Sequence, residues 1–127
     1  MVHSVSQPYS PKQNGRAERA NRTLMERARC IIEDSQLTKP FWGYAVTTAA
    51  HIHNWLPSRT YEDKSPLEHW TGETPSIGHL RVFGSVTYTH ILGETSKKLD
   101  PRSRKCILVG YEWGSSRKAY RVYDPEQ

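Results

Sequence analysis

From Arg16 to Ser35 the chain carries neither proline nor glycine, and Ala17, Ala20, Leu24, Ala28, Ile31 and Ile32 recur at three- and four-residue spacing. That period places them on one stripe of an amphipathic helix, with Glu18, Arg22, Met25 and Arg29 on an adjoining, largely polar stripe. An apolar stripe must be covered, so the rest of the chain is constrained to supply the cover. A second helix fits 40–54. Pro40 suits a first helical position after Thr38 or Lys39; Phe41, Trp42, Ala45, Val46, Ala49 and Ile52 form its apolar face, and Pro57 lies beyond its end. Ser65-Pro66-Leu67-Glu68 is a capping box with proline in first place, opening a short helix through Trp70 that Gly72 terminates.

After Pro75 the pattern changes from helical spacing to alternation. Leu80 to Phe83 and Val86 to Ile91 read as strand, with Gly84 as a bulge or bend between them. Lys97 to Lys105 reads as a basic connection containing Asp100-Pro101. Cys106 to Tyr111 is a further strand, Gly114-Ser115-Ser116 a turn, and Ala119 to Tyr123 a returning strand. Residues 1–15 read as an irregular lead-in, since Pro8, Pro11 and Asn14-Gly15 oppose regular structure. The chain divides into a helical half, 1–75, and a β half, 78–127.

The chain's 127 residues suit one ordinary domain or two small ones. No apolar run approaches the roughly 20 residues of a membrane helix, and the start has no basic region followed by an apolar core, so the expectation is a soluble intracellular protein with no membrane partner. Lys and Arg outnumber Asp and Glu by 18 to 13, and the isoelectric point is near 9.4. A basic balance points to a polyanionic partner, most often nucleic acid. Cys30 and Cys106 each adjoin aliphatic residues and read as buried free thiols.

Glu18 amid Arg16, Arg19 and Arg22 reads on composition as part of a solvated helical face with Glu18–Arg22 and Arg22–Glu26 pairs. The six histidines show no spacing suited to zinc, and Ser10, Ser35 and Ser65 have no His/Asp partners in sequence for nucleophilic catalysis. Tyr88, Tyr111, Tyr120 and Tyr123 read as β-core and cross-strand packing rather than base-stacking platforms.

The run Pro8-Tyr9-Ser10-Pro11-Lys12-Gln13-Asn14-Gly15-Arg16-Ala17-Glu18-Arg19-Ala20-Asn21-Arg22-Thr23 resembles, nearly residue for residue, the motif around the last acidic residue of copia-type retrotransposon integrases. Lys39 to Trp42, Ala45-Val46 and Ala49-Ala50 resemble the next helix in that family, and Asn54 to Ser58 and Ser65 to Gly72 match it as well. Leu80 to Gly84, Lys98 to Pro101 and Gly110-Tyr111 resemble the small β module beyond, so the resemblance covers essentially the whole chain. It implies an α+β fold: a helical C-terminal remnant of a ribonuclease-H-like integrase core over 1–75, then an SH3-like β barrel over 78–127. It implies DNA integration by metal-dependent phosphoryl transfer, with Glu18 as catalytic residue and ligand for Mg²⁺ or Mn²⁺. DNA is the implied partner, together with the rest of an integrase or a second copy. The DNA-holding residues would be Lys12, Gln13, Asn14, Arg16, Arg19 and Arg22 around the glutamate, and Lys97, Lys98, Arg102, Arg104 and Lys105 in the basic run. A nuclear location follows from the resemblance alone.

In that family Asp, Asp and Glu, in that chain order, clamp two metals about 3.5–4 Å apart. Residues 1–17 contain no Asp or Glu, and Asp34, Asp63, Asp100 and Asp124 all come after Glu18. One carboxylate does not hold two metals, so neither ion is expected to bind well here. The expected chain is a fragment or decayed copy without strand-transfer activity of its own. Its helical half, lacking the family's central sheet, is expected to be loosely packed or aggregation-prone in isolation. Two further readings stand beside this one. One is a non-catalytic nucleic-acid-binding module using Arg16, Arg19, Arg22, Arg27 and Arg29 with the basic loop. The other is a structural or protein-interaction module.

Overall fold

The computed structural model describes residues 14–91, 102–113 and 118–126. The lead-in 1–13, the segment holding Lys97, Lys98 and Asp100-Pro101, and the turn Gly114 to Ser116 lie outside the described residues. In chain order the elements are α1 (Gly15–Ser35), α2 (Trp42–Trp55), α3 (Pro66–Thr71), β1 (Val86–His90), β2 (Ser103–Trp113) and β3 (Lys118–Tyr123). Short 3₁₀ turns stand on either side of α2, Lys39–Phe41 before it and Arg59–Tyr61 after it.

The helix limits obey the local signals. Pro40 stands in the turn that opens α2, and Leu56, ahead of Pro57, takes the extended conformation that ends it. The Ser65 hydroxyl accepts from the Glu68 N–H at 3.0 Å, and Gly72 caps α3 at φ 79°. The capping box is half formed, because the Glu68 carboxylate accepts instead from the Thr74 hydroxyl at 3.0 Å.

The helices cross on small residues. Ala28 of α1 and Ala45 and Ala49 of α2 are buried with Phe83 and Val109, and Ile31, Ile32, Leu37, Phe41, Val46 and Ile107 pack around them. One apolar cluster therefore draws on both halves of the chain, with α2 lying against β2. The stripe of α1 is covered only toward its C-terminal end: Ala17 and Ala20 are exposed, Leu24 is half-buried and Ala28 is buried. Length explains this. At 1.5 Å per residue α1 runs about 31 Å and α2 about 21 Å, so α2 cannot cover the first turns of α1. Met25 and Trp42 stay 45% and 61% exposed beside an apolar groove of about 380 Å³ between the two helices.

Among the described residues the strands form one antiparallel sheet in the order β1-β2-β3. Val86 pairs with Ile107, Tyr88 with Lys105 and Thr89 with Arg104; a bulge interrupts β2–β3 between Leu108 and Gly110.

Four expectations are corrected. Leu80 to Phe83 is not a strand. The Tyr111 hydroxyl accepts from the Arg81 N–H at 2.9 Å and donates to the Arg81 carbonyl, taking the groups that a neighbouring strand would bond, and Gly84 at φ 81° then turns the chain. Arg104 and Lys105 belong to β2, not to a loop, because β1 extends its pairing as far as Ser103. Cys30 is exposed while Cys106 is buried, both as free thiols. Two residues along a helix is about 200° of rotation, which turns Cys30 away from the face that buries Ala28. Tyr88 is not core: it is 67% exposed on the outer face of the sheet. The cross-strand expectation does hold for Tyr111 and Tyr120, whose rings lie 6.0 Å apart.

Thr48 of α2 is 1% exposed and its hydroxyl has no hydrogen-bond partner among the described residues. A buried unpaired hydroxyl carries about 1–3 kcal/mol of desolvation penalty. Thr48→Val keeps the shape and removes it. It is expected to raise stability by about 1 kcal/mol, read from the urea midpoint; a lowered midpoint would contradict it.

Candidate functional site

The first two turns of α1 carry the charged cluster. Arg16, Glu18, Arg19 and Arg22 lie within them, all four exposed, and the helix starts at Gly15 directly after Asn14. Asn14 occupies the N-cap position, but its side chain makes no capping bond. The first N–H groups of α1 therefore point at the surface with the positive end of the helix dipole, an arrangement that attracts anions. Arg16 and Arg19 add full positive charge where the dipole disfavours it, so they reduce rather than improve helix stability.

The ion pairs expected along α1 do not form. Among the described residues the salt bridges are Arg104–Asp124 at 2.7 Å and Arg121–Glu112 at 3.0 Å, both in the sheet. Glu18 is not bonded to Arg22, nor Arg22 to Glu26. At i,i+4 spacing on an exposed surface such a pair yields only about 0.2–0.5 kcal/mol, too little to fix two solvated side chains. Arg27 is engaged differently: its Nη1 donates to His53 Nδ1 at 2.6 Å. Guanidinium nitrogens only donate, so Nδ1 must be unprotonated there. Burial first and Arg27 second lower the His53 pKa. Among the described residues, Arg16, Arg19 and Arg22 thus remain the uncommitted cations beside Glu18.

The basic residues of the sheet separate. Arg102 and Lys105 are exposed, Lys105 lying opposite Tyr88 on the outer face. Arg104 points to the other face, where Asp124 holds it. The Glu126 N–H and then Arg104 bond the Asp124 carboxylate and lower its pKa. Arg104 is therefore the weakest member of the expected phosphate set. Lys12, Gln13, Lys97 and Lys98 lie outside the described residues.

A second cluster was not legible from sequence spacing. His51 Nε2 lies 2.9 Å from His79 Nε2, with the Trp55 and Tyr111 rings packed on the two and the Tyr120 hydroxyl donating to the His79 carbonyl. His51 and His79 are 28 positions apart, and no local motif links them. Among the described residues no three His, Cys, Asp or Glu side chains gather as a metal site, and no helix is long and apolar enough to cross a membrane.

Residues 85–127 match the family described as the retroviral polymerase SH3-like domain. The chain is 40% identical over 123 residues to the retrovirus-related Pol polyprotein from transposon TNT 1-94 of Nicotiana tabacum, an alignment covering 97% of this chain and 9% of that protein. It is 33% identical over 109 residues to the corresponding polyprotein from transposon RE1 of Arabidopsis thaliana, covering 86% of this chain and 7% of that one. An uncharacterized mitochondrial protein of Arabidopsis thaliana is 38% identical over 95 residues, 75% of this chain and 73% of that protein. The chain thus spans less than a tenth of either polyprotein. No solved structure matches it.

Proposed function

Since the chain belongs to the retrovirus-related Pol polyproteins of copia-type transposons, we propose that it is an integrase-related piece of such a polyprotein whose own contribution is to hold DNA beside Glu18. In this reading 1–75 is the helical end of a ribonuclease-H-like core, and 78–127 is the SH3-like module, its contact with DNA made through Arg102 and Lys105. The observation that carries the proposal is the set Arg16, Arg19 and Arg22, without ion pairs among the described residues, at an uncapped helix N-terminus. Such a surface grips phosphates with little regard to sequence.

The residues do not fit a two-metal centre by themselves. Glu18 is one carboxylate on an exposed face, and two metals clamping a phosphoryl transfer need ligands from several. The 127 residues alone are therefore expected to bind DNA without joining it. Metal-dependent end joining of a labelled donor duplex, abolished by Glu18→Gln, would overturn that expectation.

Duplex binding itself is checked by salt titration. The logarithm of the affinity is expected to fall linearly with log salt, with a slope of about 0.9 for each phosphate neutralised. Absence of duplex binding at low salt would remove the DNA reading and leave a protein-interaction module.

A further inference from the structure

Strand alternation gathers one exposed aromatic ring and its basic neighbours on a single face of the sheet. Every second side chain of a strand stands on the same side, about 7 Å from the last. β1 therefore presents Val86, Tyr88 and His90 together, and the antiparallel register sets Lys105 opposite Tyr88 and Ser103 opposite His90. Val86 is 54% and Tyr88 67% exposed, and His90, Ser103 and Lys105 are exposed with them. Arg102, also exposed, stands at the same end of the ladder, where its carbonyl accepts from the Ile91 N–H at 2.9 Å.

The charge beside that ring is uncompensated. Glu112 is the carboxylate within the described strands, and Asp124 directly follows β3. Arg121 holds the first and Arg104 the second. Among the described residues, Lys105 and Arg102 form no ion pair, and Tyr88 has no ring or hydrogen-bond partner. A complementary partner must therefore be polyanionic and must also offer flat apolar surface. An unpaired polynucleotide is both: its phosphates suit the two cations, and each of its bases has a π-face that stacks on a tyrosine. A duplex supplies only the phosphates, because its base faces are covered by their neighbours and its grooves display edges. A ring on an open sheet face thus strengthens binding of the single strand and adds little for the duplex.

We propose that Tyr88, with Lys105 and Arg102, is a stacking site for the unpaired bases of single-stranded nucleic acid. The β half takes an unpaired strand, while the arginines of α1 grip phosphates whether or not the bases are paired. The flexible stem of Lys105 lets its ammonium follow a phosphate flanking the stacked base. Every base has a face to stack, so the site selects single strands without selecting sequence. The inference rests on the reading of Arg102 and Lys105 as phosphate contacts, and adds to it the ring that tells a single strand from a duplex.

The test is a binding titration of the full 127-residue chain. The probes are a labelled oligothymidylate of about 12 nucleotides, the matching oligouridylate and a blunt duplex of the same length. Tyr88→Thr keeps a β-branched strand former in place and removes the ring. It should weaken single-strand binding by about 5- to 150-fold, the range for one stacked base. The salt slope should stay the same, because tyrosine neutralises no phosphate, and duplex affinity should not move. Tyr88→Phe retains the ring and should retain the single-strand affinity. Lys105→Ala should instead lower the single-strand salt slope by about 0.7. The ring meets the base and not the sugar, so the loss in Tyr88→Thr should be equal for thymidylate and uridylate, and the one that wild type binds more tightly identifies the strand. Unchanged single-strand affinity in Tyr88→Thr, with the duplex still bound, would overturn the stacking site and leave the DNA reading standing. Wild type that bound none of the probes at low salt would remove both. A Tyr88→Thr variant that failed to fold would show the ring to be core, and would overturn the site as well.

Discussion

Gly84→Ala is expected to destabilise the protein by about 2–5 kcal/mol, the largest single-residue effect the fold predicts. The residue sits at φ 81°, where an L side chain costs about 1–2 kcal/mol. An added Cβ would lie 2.6 Å from Ser35 Cβ and 3.2 Å from Ser35 Cα, and overpacking of that kind costs about 1–3 kcal/mol more. Neither side can withdraw easily. The Gly84 N–H donates to the Leu108 carbonyl at 2.8 Å, and the Leu108 N–H donates to the Ser85 carbonyl at 2.9 Å, which locks the turn to β2. Ser35 ends α1, its hydroxyl donating to the Ile32 carbonyl at 3.0 Å. Gly72→Ala is the control. Gly72 has a similar φ of 79° but no atom within 4 Å of an added Cβ, so it should lose only the conformational part. Equal urea midpoints for the two variants would show that Ser35 does not crowd the turn.

The second large effect concerns the arginines. Replacing Arg16, Arg19 and Arg22 together by alanine is expected to reduce the log–log salt slope of DNA binding by about 2.7, at about 0.9 per phosphate. The affinity lost between about 50 and 200 mM salt would then be smaller by about 40-fold. Stability should not fall, because the three side chains make no ion pair among the described residues and lie near the positive end of α1. Arg104→Ala is expected to change the slope far less, since Asp124 already holds that guanidinium at 2.7 Å; breaking the pair should show in stability instead. A triple variant that kept the wild-type slope would remove α1 from the DNA surface.

Much of the helical part was legible because its signals are local. Pro40, Ser65 and Gly72 act within one turn of themselves, and α1 and α2 begin and end close to the limits that periodicity implies. Glu18 and its arginines were legible for the same reason: a motif contiguous in sequence stays contiguous on a helix. The misreadings share a different cause. Leu80 to Phe83 carries strand-like residues, but the Tyr111 hydroxyl, 30 positions away, satisfies the Arg81 backbone and displaces strand pairing. The Arg104–Asp124 pair and the His51–His79 contact join positions 20 and 28 apart with no periodic relation.

The sequence by itself determined the family, the two-part order of helices then strands, and the cluster of cations around one carboxylate, because each rests on contiguous residues or short-range spacing. Tertiary structure alone decided which of those groups are engaged. It committed Arg104 to Asp124 and Arg27 to His53, while Arg16, Arg19 and Arg22 took no carboxylate partner among the described residues. It also seated Ser35 on Gly84 and brought His51 against His79. The physical reason is that burial and side-chain pairing belong to surfaces that meet only after the chain has closed on itself, and alternation or helical period constrains one surface at a time.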